Sequence, residues 1–451
     1  MGVAEKEDLK CKQADEDALE LARLGYKQEF KRAFSPLQVF GLVFSIFGLF
    51  PSIASVLVYA LPYGGPVAMV WGWGICSFFL LLITLSLAEL GSAAPTSGGL
   101  YYWSFKFASP RWRRLLSWIV GFAKLQTFYV VLNVLLCLAI IIALPAATPS
   151  EFKNSASYAF TGFVNYSGWP DGFAFVLSFL APLWTISGFD SSLHITGILG
   201  WAINVVLAFC MGTDIENIMN SPIGQPMAVI LYNSLGQKGT LAVWSVVVAV
   251  QFMMGTSTLL ASSRQTFAFA RDGGLPFSGL LYRIHPRTQT PIACAWAAAF
   301  VAALLGLLAF AGDAAISAIF ALGVVGLYIA YIIPICSRFA GGRAWVPGPF
   351  TLGRFGFPVA VISLLWMVFS IIILVFPSSP APDAPDMNYT VVVLAAWLAL
   401  CLVYYYLPVY GGVHWFRGPI ANVNVDSEDS DEVGDVKNPD VAISVSSIGT
   451  D

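Results

Sequence analysis

Apolar runs of about twenty residues, separated by short polar stretches, limit the fold of this chain more than any other feature. They are Leu37 to Ala60, Val67 to Leu90, Leu125 to Pro145, Phe173 to His194, Leu241 to Ala261, Ile292 to Ala311, Ala314 to Ile335, Val359 to Phe376 and Thr390 to Pro408, with Ile198 to Gly212 as a shorter one. As a helix, each long run reaches across a hydrocarbon layer of about 30 Å. Lipid offers a backbone no hydrogen-bond partners, so the expected architecture is an all-α, polytopic membrane protein of about ten transmembrane helices.

Composition points the same way. The 451 residues are 57% hydrophobic and 11% charged, whereas soluble domains carry roughly 25% charged residues. The net charge is -3, and acidic residues gather in Glu5 to Glu20 and Asp426 to Asp440, a balance that argues against a nucleic-acid surface. The chain thus divides into an N-terminal tail (1–36), a transmembrane domain (37–408) and a disordered acidic tail (409–451). Six of the seven cysteines fall in or beside apolar runs, where they act as small hydrophobes. With no CxxC pair and only three histidines, neither a metal nor a disulfide framework is expected. The polar N-terminus lacks the order of a cleaved signal peptide.

Orientation follows from lysine and arginine. Lys27, Lys31 and Arg32 precede the first run, and Lys106, Arg111, Arg113 and Arg114 follow the second, which makes these flanks cytosolic. Alternation then puts Arg264, Arg271, Arg283, Arg287, Arg338, Arg343, Arg354 and both tails inside, with Lys153 and Lys238 outside. Two glycosylation sequons, beginning at Asn165 and Asn388, fall in loops on the outer side.

Within a membrane, Gly, Pro and Ser clusters mark places where a helix breaks beside protein or a wet cavity. One cluster runs from Ser45 to Ser52, where Gly48 loosens the backbone and Pro51 removes a donor. It reads either as a simple proline kink or as a break that offers main-chain groups to a solute. The second runs from Ala181 to Ser192 and holds Asp190, an acid in an otherwise apolar run. Such acids are costly and usually functional, so Asp190 either contacts substrate or caps the helix that follows. Trp184 is either a packed aromatic or a lid. Glu89, near the cytosolic end of its run, reads as a loop anchor. Gln251, Thr256 and Ser257 offer polar contacts, although hydroxyls in such helices commonly satisfy their own backbone. No catalytic constellation or nucleotide-binding loop is present, so an enzyme is not expected, no cofactor is implied, and uphill transport would draw on an ion gradient.

Five stretches carry a family resemblance: Leu24 to Phe30, Phe44 to Ser55, Ala88 to Trp103, Ile186 to Asp190 and Ser263 to Pro276. They resemble the fungal amino acid/choline permeases of the amino acid, polyamine and organocation superfamily. The resemblance implies an inverted-repeat transporter fold with discontinuous first and sixth helices. It also implies import of GABA, choline or a related amino compound across the plasma membrane, with proton symport as the family's coupling. By motif position, Ser45, Gly48, Pro51, Ser52 and Ile53 would line the substrate with Trp184, Thr185, Ser187, Gly188, Phe189 and Asp190, Trp184 matching the gating aromatic. Asn133 stands where proton-coupled bacterial members carry a helix-five lysine in place of sodium, which leaves the coupling open.

The departures matter as well. After Ser117 to Gly121 the sequence jumps to Lys124-Leu125-Gln126-Thr127, which resembles the start of helix five, so about two helices are absent. A second jump follows His194-Ile195. One helix from Leu115 to Pro145 would be roughly 45 Å long, so Leu115 to Ala123 is expected at the inner interface with Lys124 snorkelling. The joined segments run in the same direction, and the downstream topology is kept. A transport-incompetent form is the competing expectation.

Overall fold

The computed structural model describes residues 48–96, 99–116, 131–186, 193–275, 277–285, 291–307, 313–342, 345–383 and 387–419. Lys124 and the junction before it lie outside these residues.

Helices dominate, as the apolar runs require. We number them α1 (Leu49–Val56, continued by a 3-10 turn, Leu57–Tyr59), α2 (Gly65–Ala93), α3 (Gly99–Phe107), α4 (Val131–Ala147), α5 (Asp171–Thr185), α6 (Leu193–Cys210), α7 (Pro226–Arg271), α8 (Ile292–Gly306), α9 (Asp313–Ala340), α10 (Gly356–Leu374) and α11 (Thr390–Tyr406). Among the described residues, three stretches are long and apolar enough to cross a membrane: Gly65–Ala93, Ala321–Ala340 and Gly353–Leu374. Further apolar helices are shorter, α5 and α6 among them.

The expected ends of α2, α10 and α11 and the expected start of α8 agree with the structure to within a few residues, while the expected end of α8 at Ala311 lies outside the described residues. The run expected over Leu241 to Ala261 is part of a helix of 46 residues, α7, interrupted at Gly236 (φ 66°, ψ −179°), a conformation open only to glycine.

The larger difference concerns α5 and α6. Phe173 to His194 is expected as one crossing, but α5 ends at Thr185, Ile186 leaves helical geometry (φ −95°, ψ 9°), and His194 belongs to α6. Packing against α2 fixes the depth of both helices. Gly72 of α2 faces Ser178 and Phe179 of α5. The Trp73 indole donates to the Gly197 carbonyl of α6 at 2.8 Å, and Gly197 also lies against Ser77. Further along, Ala208 packs with Val70. Helices α2 and α6 therefore run antiparallel, and Leu193, the first described residue of α6 and about one turn before Gly197, lies near the mid-height of the Gly65–Ala93 helix. The C-terminus of α6 reaches the same end of the bundle as the N-terminus of α5. There Asn154 donates to the Ala208 and Gly212 carbonyls, Tyr166 N–H to Pro62 O, and Asn165 to the Asp171 carboxylate. Together α5 and α6 enter and leave by one end. Hydropathy alone reads two such arms as two crossings, because an apolar run carries no record of depth.

Candidate functional site

Helix α1 starts immediately after Gly48, which is left-handed (φ 42°, ψ 52°). No right-handed helix passes through that conformation, so α1 cannot extend back through Gly48. A Cβ at Gly48 would also lie 2.4 Å from Met254 Sδ of α7, which reinforces the requirement for glycine. Pro51 sits in the first turn of α1, where its missing donor costs nothing because the first N–H groups of a helix have no partner within it. Ser52 N–H donates to Gly48 O at 2.8 Å and closes the turn. Leu49 to Ala54 are buried.

Helix α5 ends beside α1, and the two pack directly. Thr185 Oγ1 donates to Ala181 O at 2.9 Å and so satisfies its own helix. The Trp184 ring lies on α9, where a Cβ at Gly323 would come within 2.6 Å of it. A helix start and a helix end thus meet inside the bundle. The start offers N–H dipoles and the end offers carbonyls, and they attract anionic and cationic groups respectively.

Of the sequence-predicted site residues, Gly48, Pro51, Ser52, Ile53, Trp184 and Thr185 lie on these two packed helices. Ser45, Ser187, Gly188, Phe189 and Asp190 lie outside the described residues. Asn133 belongs to α4, and Thr256 and Ser257 to α7; both helices pack on α1.

A cavity of about 560 Å³ opens next to this meeting point, toward the end where α5 enters and α6 leaves. It begins directly after the sequence-predicted Ile53, at Ala54 and Ser55, and continues past Tyr59 and Tyr63 to Leu177 and Leu180, Gln225, Phe376, Ser378 and Asn388. Its lining among the described residues is apolar and neutral polar, with no charged side chain. A smaller pocket of about 10 Å³, room for one water, lies between Ile53, Trp73, Pro182 and Asn204.

Sequence reasoning missed Gln225, Tyr63 and Ser378. The Gln225 amide donates to Ala54 O at 2.8 Å while its oxygen accepts from Met227 N at 2.8 Å, which ties the start of α7 to the end of α1. Its sequence signal is the Gln-Pro pair that opens a helix. Tyr63 OH donates to Ser378 O at 2.9 Å across the cavity mouth, and burial pushes its phenol up to about 12. Both sequon asparagines are hydrogen-bonded. Asn165 donates to Trp169 O (2.7 Å) and Asp171 Oδ1 (2.9 Å), and Asn388 donates to Leu374 O and Phe376 O (2.9 Å each).

Glu89 lies at the far end of the bundle, away from the cavity, and its side chain is fully buried. It accepts from the Arg338 guanidinium, from Thr351 Oγ1 at 3.0 Å and from Leu352 N–H at 2.7 Å. Arg338 also stacks over the Trp345 ring at 4.0 Å. The ends of α2 and α9 and the Trp345–Phe355 connection are pinned together there. Nearby, Tyr101 of α3 donates to the buried Asp272 carboxylate, which also pairs with Arg271 at 3.1 Å.

An apolar helical bundle in which one helix starts and another ends side by side, next to a solute-sized cavity, fits a membrane transporter. The chain belongs to the amino acid permease family, whose model it matches over residues 34–123 and 191–397. It is a permease by family and not an enzyme. It is 35% identical to an uncharacterized amino-acid permease of Schizosaccharomyces pombe, over 92% of this chain and 90% of that protein. It is 34% identical to the GABA-specific permease of Saccharomyces cerevisiae (90% and 86%) and 29% identical to an amino-acid permease of Arabidopsis thaliana (91% and 97%). The first of these alignments runs over 500 positions, more than the 451 residues of the whole chain, so residues of the relative stand opposite gaps here.

Proposed function

We propose that this chain carries a small amino acid or amine-bearing solute, GABA or choline among them, inward across the plasma membrane. The observation that carries this reading is the packing of α1, which starts at Gly48, against α5, which ends at Thr185, beside a cavity with no charged lining among the described residues. A net-neutral zwitterion such as GABA suits such a site, its carboxylate held by helix N–H groups and its amine by carbonyls, whereas choline, a cation without a carboxylate, would use the carbonyl end alone. The 34% identity with a GABA-specific permease supports the substrate class. In this reading Ser45, Gly48 and Pro51 to Ile53 face the solute with Trp184 to Asp190, and residues 37–408 form the transport domain. Lys106, Arg111, Arg271, Arg338 and Arg354 gather at or near the Glu89 end, which supports a cytosolic assignment for that end and for both tails. The cavity then opens outward, and coupling to a proton is the family's expectation. Uptake of labelled GABA, choline and an amino-acid panel into permease-deficient cells is the test. Equal accumulation with and without the chain would remove the proposal.

Two observations favour a second reading, a form that reaches the membrane without transporting. The family match is interrupted between residues 123 and 191, and among the described residues α5 and α6 both reach the same end of the bundle. Restoring the segments that face the alignment gaps separates the two readings, since uptake gained only by the restored chain supports the second.

A further inference from the structure

Asn388 carries a sequon, yet its whole amide is engaged in the fold. Both Nδ2 hydrogens go to carbonyls at the end of α10, Leu374 O and Phe376 O, at 2.9 Å each. The Leu374 carbonyl is one of those a helix leaves without partners at its C-terminus, and Phe376 lies just past the helix end. Its oxygen accepts from Thr390 N–H at 3.1 Å, at the first turn of α11. One side chain therefore stitches two helix ends together and sets the stretch Phe376–Ser378 that leaves α10. A sugar on Nδ2 would take the place of one hydrogen, and the two carbonyls would no longer both be served.

The stitched stretch forms part of the cavity wall. Two donors from elsewhere hold it there: Tyr63 OH on Ser378 O at 2.9 Å and the Trp169 indole on Pro377 O at 3.3 Å. The Phe376 ring packs edge-on against Phe173 of α5, centroids 5.1 Å apart. Three separate parts of the chain converge on three consecutive residues at a cavity mouth, more fastening than a surface connection of this length needs. Because burial raises the Tyr63 phenol to about 12, it remains a donor throughout the neutral range.

We propose that Asn388 and Tyr63 are positioning residues of the solute path, Asn388 setting the Phe376–Ser378 stretch and Tyr63 pinning it across the cavity mouth, and that Asn388 carries no glycan. The inference rests on the cavity being the solute's entrance.

The test uses the full chain in cells, with Ser55→Cys as a reporter inside the cavity, labelled by a membrane-impermeant maleimide and corrected for the parent carrying Ser55. Tyr63→Phe is expected to label roughly three- to tenfold faster, as losing about one hydrogen bond shifts a local opening, and Asn388→Ala, which loses three, at least as much. Thr390→Val destroys the sequon but keeps the backbone N–H, so it should label like the reporter alone and show no change in glycosidase-sensitive mobility. For uptake, Tyr63→Phe should raise KM more than it lowers the maximal rate, a split that general loss of folding would not produce. Unchanged labelling in Tyr63→Phe overturns the proposal, and so does a Thr390→Val variant that reproduces Asn388→Ala, since the sugar would then be the active part. Should Asn388→Ala fail to reach the surface, Tyr63→Phe decides alone. Faster labelling in a chain that takes up nothing supports the fastening and removes the transport reading, whereas uptake with unchanged labelling does the reverse.

Discussion

Trp73 occupies the space that any side chain at Gly200 would need: a Cβ there would lie 2.1 Å from the indole ring. The same indole donates to Gly197 O at 2.8 Å, so α6 is held against α2 by close approach and by a directed bond together. Gly200→Ala should therefore force the ring or the helix to shift, at about 1–3 kcal/mol as overpacking usually costs. Gly326→Ala on α9, where the added Cβ meets nothing within 4 Å, should be neutral or mildly stabilising. Thermal unfolding of the two variants in the same detergent compares them directly.

Glu89 and Arg338 form a pair whose side chains are 0% and 8% exposed. Glu89→Gln keeps the shape but leaves the guanidinium buried without its counter-charge, which should cost about 3–5 kcal/mol. Arg338→Met in the Glu89→Gln background removes that stranded charge, and the double variant should be more stable than Glu89→Gln alone. A double-mutant cycle on unfolding temperature reads the coupling, and additive losses would mean that the pair contributes no more than its separate hydrogen bonds.

Ser370 Oγ is buried with no hydrogen-bond partner among the described residues. An unsatisfied buried polar group carries a desolvation penalty of about 1–3 kcal/mol. Ser370→Ala should accordingly leave stability unchanged or raise it, whereas Thr185→Val, which loses a 2.9 Å bond to Ala181 O, should lower it. A fall in unfolding temperature for Ser370→Ala would show that ordered water already serves that group.

Much of the fold was legible because apolar length is a local property. The run expected over Val359 to Phe376 is α10 at Gly356–Leu374, and Thr390 to Pro408 is α11 at Thr390–Tyr406. Depth was not legible, since the position of α5 and α6 along α2 is set by contacts of Gly72 with Ser178 and Phe179 and of Gly197 and Gly200 with Ser77 and Trp73, which no hydropathy window contains. The same division holds at the site. Gly48 stood out because glycine chemistry acts where the residue stands. Tyr63 did not, because its partner Ser378 is 315 positions away and the bond goes to a carbonyl, which every residue type supplies.

Gly48 allows the start of α1 to be tested. Alanine there would have to adopt the left-handed conformation at φ 42° and place its Cβ 2.4 Å from Met254 Sδ. The first effect is backbone strain of about 1–2 kcal/mol, and the second is a steric clash that removal of the methionine side chain relieves. Gly48→Ala should therefore abolish or strongly reduce uptake, and adding Met254→Ala should restore it only in part, because the strain persists. Initial uptake rates at matched surface expression separate the two effects. Full restoration by Met254→Ala would mean that only space matters at this position, and no restoration would mean that the left-handed turn alone sets the start of α1.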